Sequence, residues 1–134
     1  MSQFQQNVSL KPYNTFGIEA RAPAFFEFPS LEALREALGE KTPDQELLIL
    51  GGGSNLLLTQ DFEGLVLKNG LTGISLEKED DEHIWVRAMA GENWHAFVMH
   101  CIEKGWAGIE NLSLIPGTVG AAPLQYIGAY GVEF

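Results

Sequence analysis

Apolar positions along the chain fall in two periods that interleave. His83 to Ala90 alternates, with Ile84, Val86, Ala88 and Ala90 on one face and Trp85, Arg87 and Met89 on the other. That period of two predicts a half-buried strand. From Asn93 to Lys104 the spacing is helical. Trp94, Phe97, Val98, Cys101 and Ile102 recur at i, i+3, i+4, i+7 and i+8 as one apolar stripe, and Gly105 is placed to stop the helix. Shorter signals fill in the rest. Phe25-Phe26-Glu27-Phe28 predicts a strand ending at Pro29. Ser30 can cap a helix of about two turns from Leu31 to Leu38, with Gly39 behind it. Leu47–Leu50, Gly64–Asn69 and Gly73–Leu76 read as short strands, and Pro12 to Gly17 (PYNTFG) is turn-rich. The elements alternate between α and β, with no repeat and no low-complexity linker.

Between two of these apolar runs the chain reads LGGGSNLL, Leu50 to Leu57. Contiguous Gly51, Gly52 and Gly53 let the backbone turn sharply and bring successive N–H groups close to a ligand, because no Cβ intervenes. Such a row of amides makes an anion-binding concavity suited to a diphosphate. Ser54 and Asn55 add side-chain donors at the exit. The pattern is neither G-x-G-x-x-G nor G-x-x-x-x-G-K-[ST], since the glycines are contiguous and no Lys follows. The exit Leu56-Leu57-Leu58 reads as a second short strand, so the expected arrangement is strand, glycine turn, strand. The alternative is a tight hairpin that holds no ligand.

Composition narrows the field. A chain of 134 residues is at most one domain of ordinary size, and 46% hydrophobic with 19% charged residues is a globular composition. A net charge of −10 argues against nucleic acid or an anionic membrane as partner. Much of that charge is local: Glu77 to Glu82 reads EKEDDE, expected at a solvated hairpin tip. Cys101 is the single cysteine, which precludes an internal disulfide and fits a reducing compartment. No apolar stretch has membrane-spanning length, and MSQFQQNVSL lacks the basic and apolar regions of a signal peptide.

Asn111 to Phe134 reads NLSLIPGTVGAAPLQYIGAYGVEF and differs in character from the rest. It carries Gly117, Gly120, Gly128 and Gly131, two prolines and small alanines, with Glu133 its only carboxylate. Backbone so free of bulk and charge can lie against a flat, extended ligand, or can serve as a buried connector.

Four stretches, in order along nearly the whole chain, resemble one family. NTFGI at Asn14–Ile18, LILGGGSNLL at Leu48–Leu57, AGENWH at Ala90–His95 and GIENLSLIPGTVGAAPLQYIGAYGVE at Gly108–Glu133 are similar to the UDP-N-acetylenolpyruvoylglucosamine reductases, flavoenzymes of bacterial peptidoglycan synthesis. The resemblance implies an α+β FAD-binding domain of the vanillyl-alcohol-oxidase (PCMH) type, holding FAD between two small subdomains. It implies that the turn, Leu50, Gly51, Gly52, Gly53, Ser54, Asn55 and Leu56, receives the FAD pyrophosphate. It implies that Ile115, Pro116, Gly117, Thr118, Val119, Gly120, Ala121 and Ala122, with Gln125, Ile127, Gly128, Ala129 and Tyr130, line the flavin. One position departs. Tyr126 stands where the family usually has Asn. Pointing inward, its ring would crowd the flavin pocket; pointing outward, it would make no direct contact, and the intact flanking motif favours outward.

By the same resemblance NADPH reduces FAD, and the flavin passes a hydride to UDP-N-acetylglucosamine enolpyruvate, giving UDP-N-acetylmuramate in the cytoplasm. The family's catalytic Arg, Ser and Glu lie beyond Phe134, so residues 1–134 are expected to be an incomplete FAD-binding domain, inactive alone. Two other readings stay open: a non-catalytic FAD-binding fragment or truncated relic, and a flavin oxidase of the same fold.

Other chemistry is weaker. His95 and His100 stand five apart, about 140° around a helix, and share no face. With Cys101 on the apolar stripe, no metal site is expected. Cys101 reads as core, His95 as a boundary residue of its helix, and Trp85, Trp94 and Trp106 as packing residues.

Overall fold

The computed structural model of the chain describes residues 3–133. Met1 and Ser2, which open the stretch read as lacking a signal peptide, and Phe134 lie outside the described residues. The chain divides into two compact units, Met1–Leu71 and Thr72–Phe134.

The first unit is a four-stranded sheet with one helix. β1 (Gln5–Ser9) pairs antiparallel with β2 (Arg21–Phe28). After β2 come α1 (Leu31–Glu40), β3 (Leu47–Leu50) and β4 (Leu65–Asn69). The strand order is β1-β2-β4-β3, and β4 is parallel to both of its neighbours. A central parallel strand is covered on both faces and reads as an unbroken apolar run. Leu65, Val66 and Leu67 meet that demand at 0% exposure each. Phe25, Val66 and Leu48 stand in register across the sheet and belong to one core with Leu10, Ala20, Ala22, Leu50 and Leu58. Leu65 and Leu67 face the other way. α1 packs on β2 and buries Ala37.

Three expectations change here. The Leu56-Leu57-Leu58 run is not a strand, so strand, glycine turn, strand does not describe the region. Nor is the region a tight hairpin: β3 and β4 run parallel, and a parallel connection needs a long crossover, which residues 51–64 supply. Leu58 is buried in the core instead of joining a ladder. Gly39 does not end α1, which continues to Glu40; the Ser30 cap stands, its Oγ accepting from the Ala33 amide at 3.1 Å. β1 carries almost no apolar signal, because QQNVS is an outer strand with mostly exposed side chains.

The second unit opens with a hairpin of β5 (Ile74–Glu79) and β6 (Ile84–Ala88). Its acidic tip is solvated as expected. Asp80 Oδ1 accepts from the amides of Glu82 at 2.9 Å and His83 at 2.7 Å, which closes the turn. Trp85 lies on the outer face of β6, 41% exposed beneath the Lys78 ammonium, and so departs from the packing role read for it.

α2 (Trp94–Glu103) follows. The Asn93 side chain caps it by accepting from the Ala96 amide at 2.9 Å. Gly105, at φ +73, ends it as the spacing predicts: the Gly105 amide bonds Ile102 and the Trp106 amide bonds Cys101, the paired bonds of a Schellman stop. Trp94, Val98 and Cys101 are buried, whereas Ile102 is 42% exposed, so the stripe is one residue shorter than its spacing suggests. Trp94 and Val98 form a core with Leu112, Ala122 and Ile127. The unit ends in the short pair β7 (Gly128–Ala129) and β8 (Val132–Glu133). Their two-residue turn, Tyr130-Gly131, has φ +52 and +80, the double left-handed geometry that suits the twist of a hairpin.

Candidate functional site

The glycine turn lies at the carboxyl end of β3. In sheets with parallel strands that end is where ligands bind, because the chain must leave the ladder there. Leu50 is buried and anchors the turn; Gly52 is exposed and Gly53 buried. Gly53 has φ +68, and a Cβ there would run into the Tyr13 carbonyl and stand 3.0 Å from Asn14 Cα. The segment that crowds it is the NTFG loop, whose role sequence reasoning left blank. Asn14 is buried at 6% exposure. Its Nδ2 donates to the Leu10 carbonyl at 2.8 Å and the Ile18 carbonyl at 3.0 Å, and its Oδ1 accepts from the Ile18 amide at 3.0 Å. The loop so held presents the Thr15 amide to the Gly53 carbonyl at 3.0 Å.

That bond sets the peptide plane after Gly53. In a trans peptide the N–H points opposite to the C=O. The Ser54 amide is therefore directed away from the Tyr13–Thr15 segment. Among the described residues the amides of Gly52, Gly53 and Ser54 make no hydrogen bond. Buried amides are nearly always paired, so a row of unpaired donors around a buried glycine suits an anionic partner.

The second set of residues belongs to the second unit. Residues 115–122 run beside Ala90–Asn93 and the first turn of α2. The Gly120 amide donates to the Ala90 carbonyl at 2.9 Å, the Val119 amide to Glu92 at 2.9 Å, and the Trp94 amide to Gly117 at 3.0 Å. Gly120 is small for a packing reason: a Cβ would stand 2.7 Å from the Ala90 Cβ. Thr118, Ala122 and Ile127 are buried; Ile115, Gly117, Val119, Ala121 and Ala129 are half-buried. Pro116, Gly120, Gln125, Gly128 and Tyr130 are exposed. This arrangement also gives AGENWH its role. Ala90 to Trp94 is the rail along which the small-residue segment lies.

Tyr126 is 89% exposed, with its ring outward. Its φ is +47, a region that costs most side chains and that Asn tolerates best after Gly. Tyr126→Asn should therefore stabilise the second unit by about 0.5–1 kcal/mol, read as a raised thermal midpoint in near-UV circular dichroism. An unchanged or lowered midpoint would count against a backbone cost at this position.

Burial pushes the Cys101 thiol up, which keeps it protonated and a poor nucleophile. No three His, Cys, Asp or Glu among the described residues are grouped to hold a metal ion. No helix of the described residues is long and apolar enough to cross a membrane.

These features define an α+β fold with a glycine turn at a strand end in one unit and a small-residue segment in the other. The chain belongs to the FAD binding domain family, whose sequence pattern matches residues 23–134. It is 55% identical over 132 residues to the UDP-N-acetylenolpyruvoylglucosamine reductase of Chromobacterium violaceum, covering 98% of this chain and 39% of that protein. It is 54% identical to the enzyme of the same name from Pseudomonas fluorescens, with the same coverage. The chain thus spans 39% of the length of these curated relatives, in their N-terminal part. In three dimensions it superposes on the UDP-N-acetylenolpyruvylglucosamine reductase of Thermus caldophilus with a TM-score of 0.72 at 24% identity, over 97% of this chain and 45% of that one. The fold is shared.

Proposed function

We propose that residues 1–134 are the FAD-holding part of a UDP-N-acetylenolpyruvoylglucosamine reductase. The observation that carries this reading is the row of unpaired amides at Gly52, Gly53 and Ser54, set by the Asn14 loop at the carboxyl end of a parallel strand. These donors fit a diphosphate. Gly51 and Gly52 admit it close to the backbone, and Ser54 and Asn55 extend the polar edge. In the second unit, the uncharged backbone of Ile115–Ala122, with Gln125 and Ile127–Tyr130, suits the flat face of an isoalloxazine ring. When bound, FAD supplies the redox chemistry, taking reducing equivalents from NADPH and delivering hydride to the enolpyruvyl double bond of the UDP-sugar. This chain's residues bind and orient the cofactor. The resemblance puts the groups that handle the substrate carbon outside residues 1–134, so the reductase activity is proposed for a full-length reductase, in the cytoplasm, and not for these residues alone.

Gly52→Val tests the reading. Gly52 is exposed and its φ lies outside the left-handed region, so the fold should tolerate a branched side chain there. A Val at the mouth of the turn should weaken FAD binding at least about a hundredfold, or 2.7 kcal/mol. Flavin fluorescence titration gives the affinity and far-UV circular dichroism the fold. Wild-type affinity in a folded Gly52→Val chain would remove the turn from the pyrophosphate site.

A further inference from the structure

The first turn of α2 grips the chain ahead of Ile115 at two points. The Trp94 indole N–H donates to the Leu112 carbonyl at 2.8 Å. On the next residue, His95 Nδ1 accepts from the Leu114 amide at 2.9 Å. At the second point the backbone does something unfavourable. Leu114 sits at φ +64, where a side chain with a Cβ is strained. Its own packing does not hold it there, because the residue is 79% exposed. A residue in so sparsely populated a conformation persists only where its surroundings impose it. The hydrogen bond from its amide to His95 is the contact that does so at Leu114 itself. Directly afterwards Ile115 turns toward the second core, and the Gly117 carbonyl meets the Trp94 amide. The sharp left-handed step at Leu114 is what lets the chain make both contacts.

We propose that His95 is a positioning residue: it holds Leu114 left-handed and so sets the path of Ile115–Ala122. The consequence for flavin binding rests on the reading given above; the consequence for the backbone does not. His95 contributes as an acceptor, which requires neutral imidazole with its proton on Nε2. Asn at this position offers Oδ1 in a place similar to Nδ1, whereas Leu offers no acceptor.

The test compares the wild-type chain with His95→Leu and His95→Asn, reading the exchange rate of the Leu114 amide by NMR and the FAD dissociation constant by fluorescence. In His95→Leu the Leu114 amide should exchange about three- to tenfold faster, and FAD should bind weaker by a similar factor. His95→Asn should restore both. Unchanged Leu114 exchange in His95→Leu overturns the proposal, and so does a His95→Asn variant that behaves like the leucine. Leu114→Asn supplies an independent arm. Asn tolerates the left-handed backbone, so adding His95→Leu to it should change the FAD dissociation constant little, although the residue-114 amide still loses its acceptor; an FAD affinity equally sensitive to His95 in that background overturns the proposal. If wild-type chain binds no flavin, the flavin site fails, and the exchange rates still decide the role of His95.

Discussion

Gly53→Ala is expected to destabilise the first unit by about 2–5 kcal/mol, adding a left-handed alanine to a steric overlap with backbone. The overlap is with the Tyr13 carbonyl and Asn14 Cα, which cannot rotate aside as a side chain would. Relief would require moving the loop that the Asn14 hydrogen bonds hold and breaking the bond from Thr15 to Gly53. Gly17→Ala is the matched control. Gly17 also has positive φ, at +65, but nothing lies within 4 Å of a Cβ there. It should lose only the conformational part, about 1–2 kcal/mol. Amide exchange of Leu65, Val66 and Leu67 in the central strand reports on this unit, whereas all three tryptophans lie in the other. Equal losses for the two alanines would show that the turn is not pressed against the Tyr13–Asn14 backbone. Gly52→Val completes the contrast: neighbouring glycines, one expected to lose the fold and the other the cofactor.

The second large effect is expected at Asn14. Asn14→Ala removes three hydrogen bonds at a buried position; the Leu10 carbonyl keeps the Tyr13 amide at 3.0 Å, but the Ile18 carbonyl and amide lose the Asn14 partner. Leaving buried polar groups unsatisfied should cost about 2–4 kcal/mol, and FAD affinity should fall with it because the loop braces Gly53. Asn14→Asp tests the polarity of the site. It keeps an acceptor for the Ile18 amide but turns a carboxylate oxygen toward two carbonyls. Those carbonyls disfavour the ionised form, so the folded-state pKa of that carboxyl rises above its unfolded value. Ionisation then penalises the fold at neutral pH, and stability should return as pH falls toward about 4. Urea midpoints at the two pH values measure it. An Asp variant equally stable at both would place the side chain in water rather than between the carbonyls.

How much of this was legible in the sequence depends on the range of the interaction concerned. α2 was readable because its stripe and its Gly105 stop act within a few turns of one another. β4 was readable because the fully buried part of a strand covered on both faces, Leu65 to Leu67, must be apolar without a break. The position of the glycine turn was plain, and the motifs resembling the reductase family agree with the family and relatives found. What tertiary structure alone decided is which glycine does what, and against what. Leu56 to Leu58 has the composition of a strand but joins no ladder; Leu58 lies in the core beside Leu50 and Val66 instead. Thr15 meets Gly53, Gly120 meets Ala90, and His95 meets Leu114 across stretches of chain that no periodicity links. Local pattern records how a residue suits its own helix or strand. It does not record which backbone carbonyl will stand where a Cβ would otherwise be, because that depends on how separate segments come together once the cores are buried.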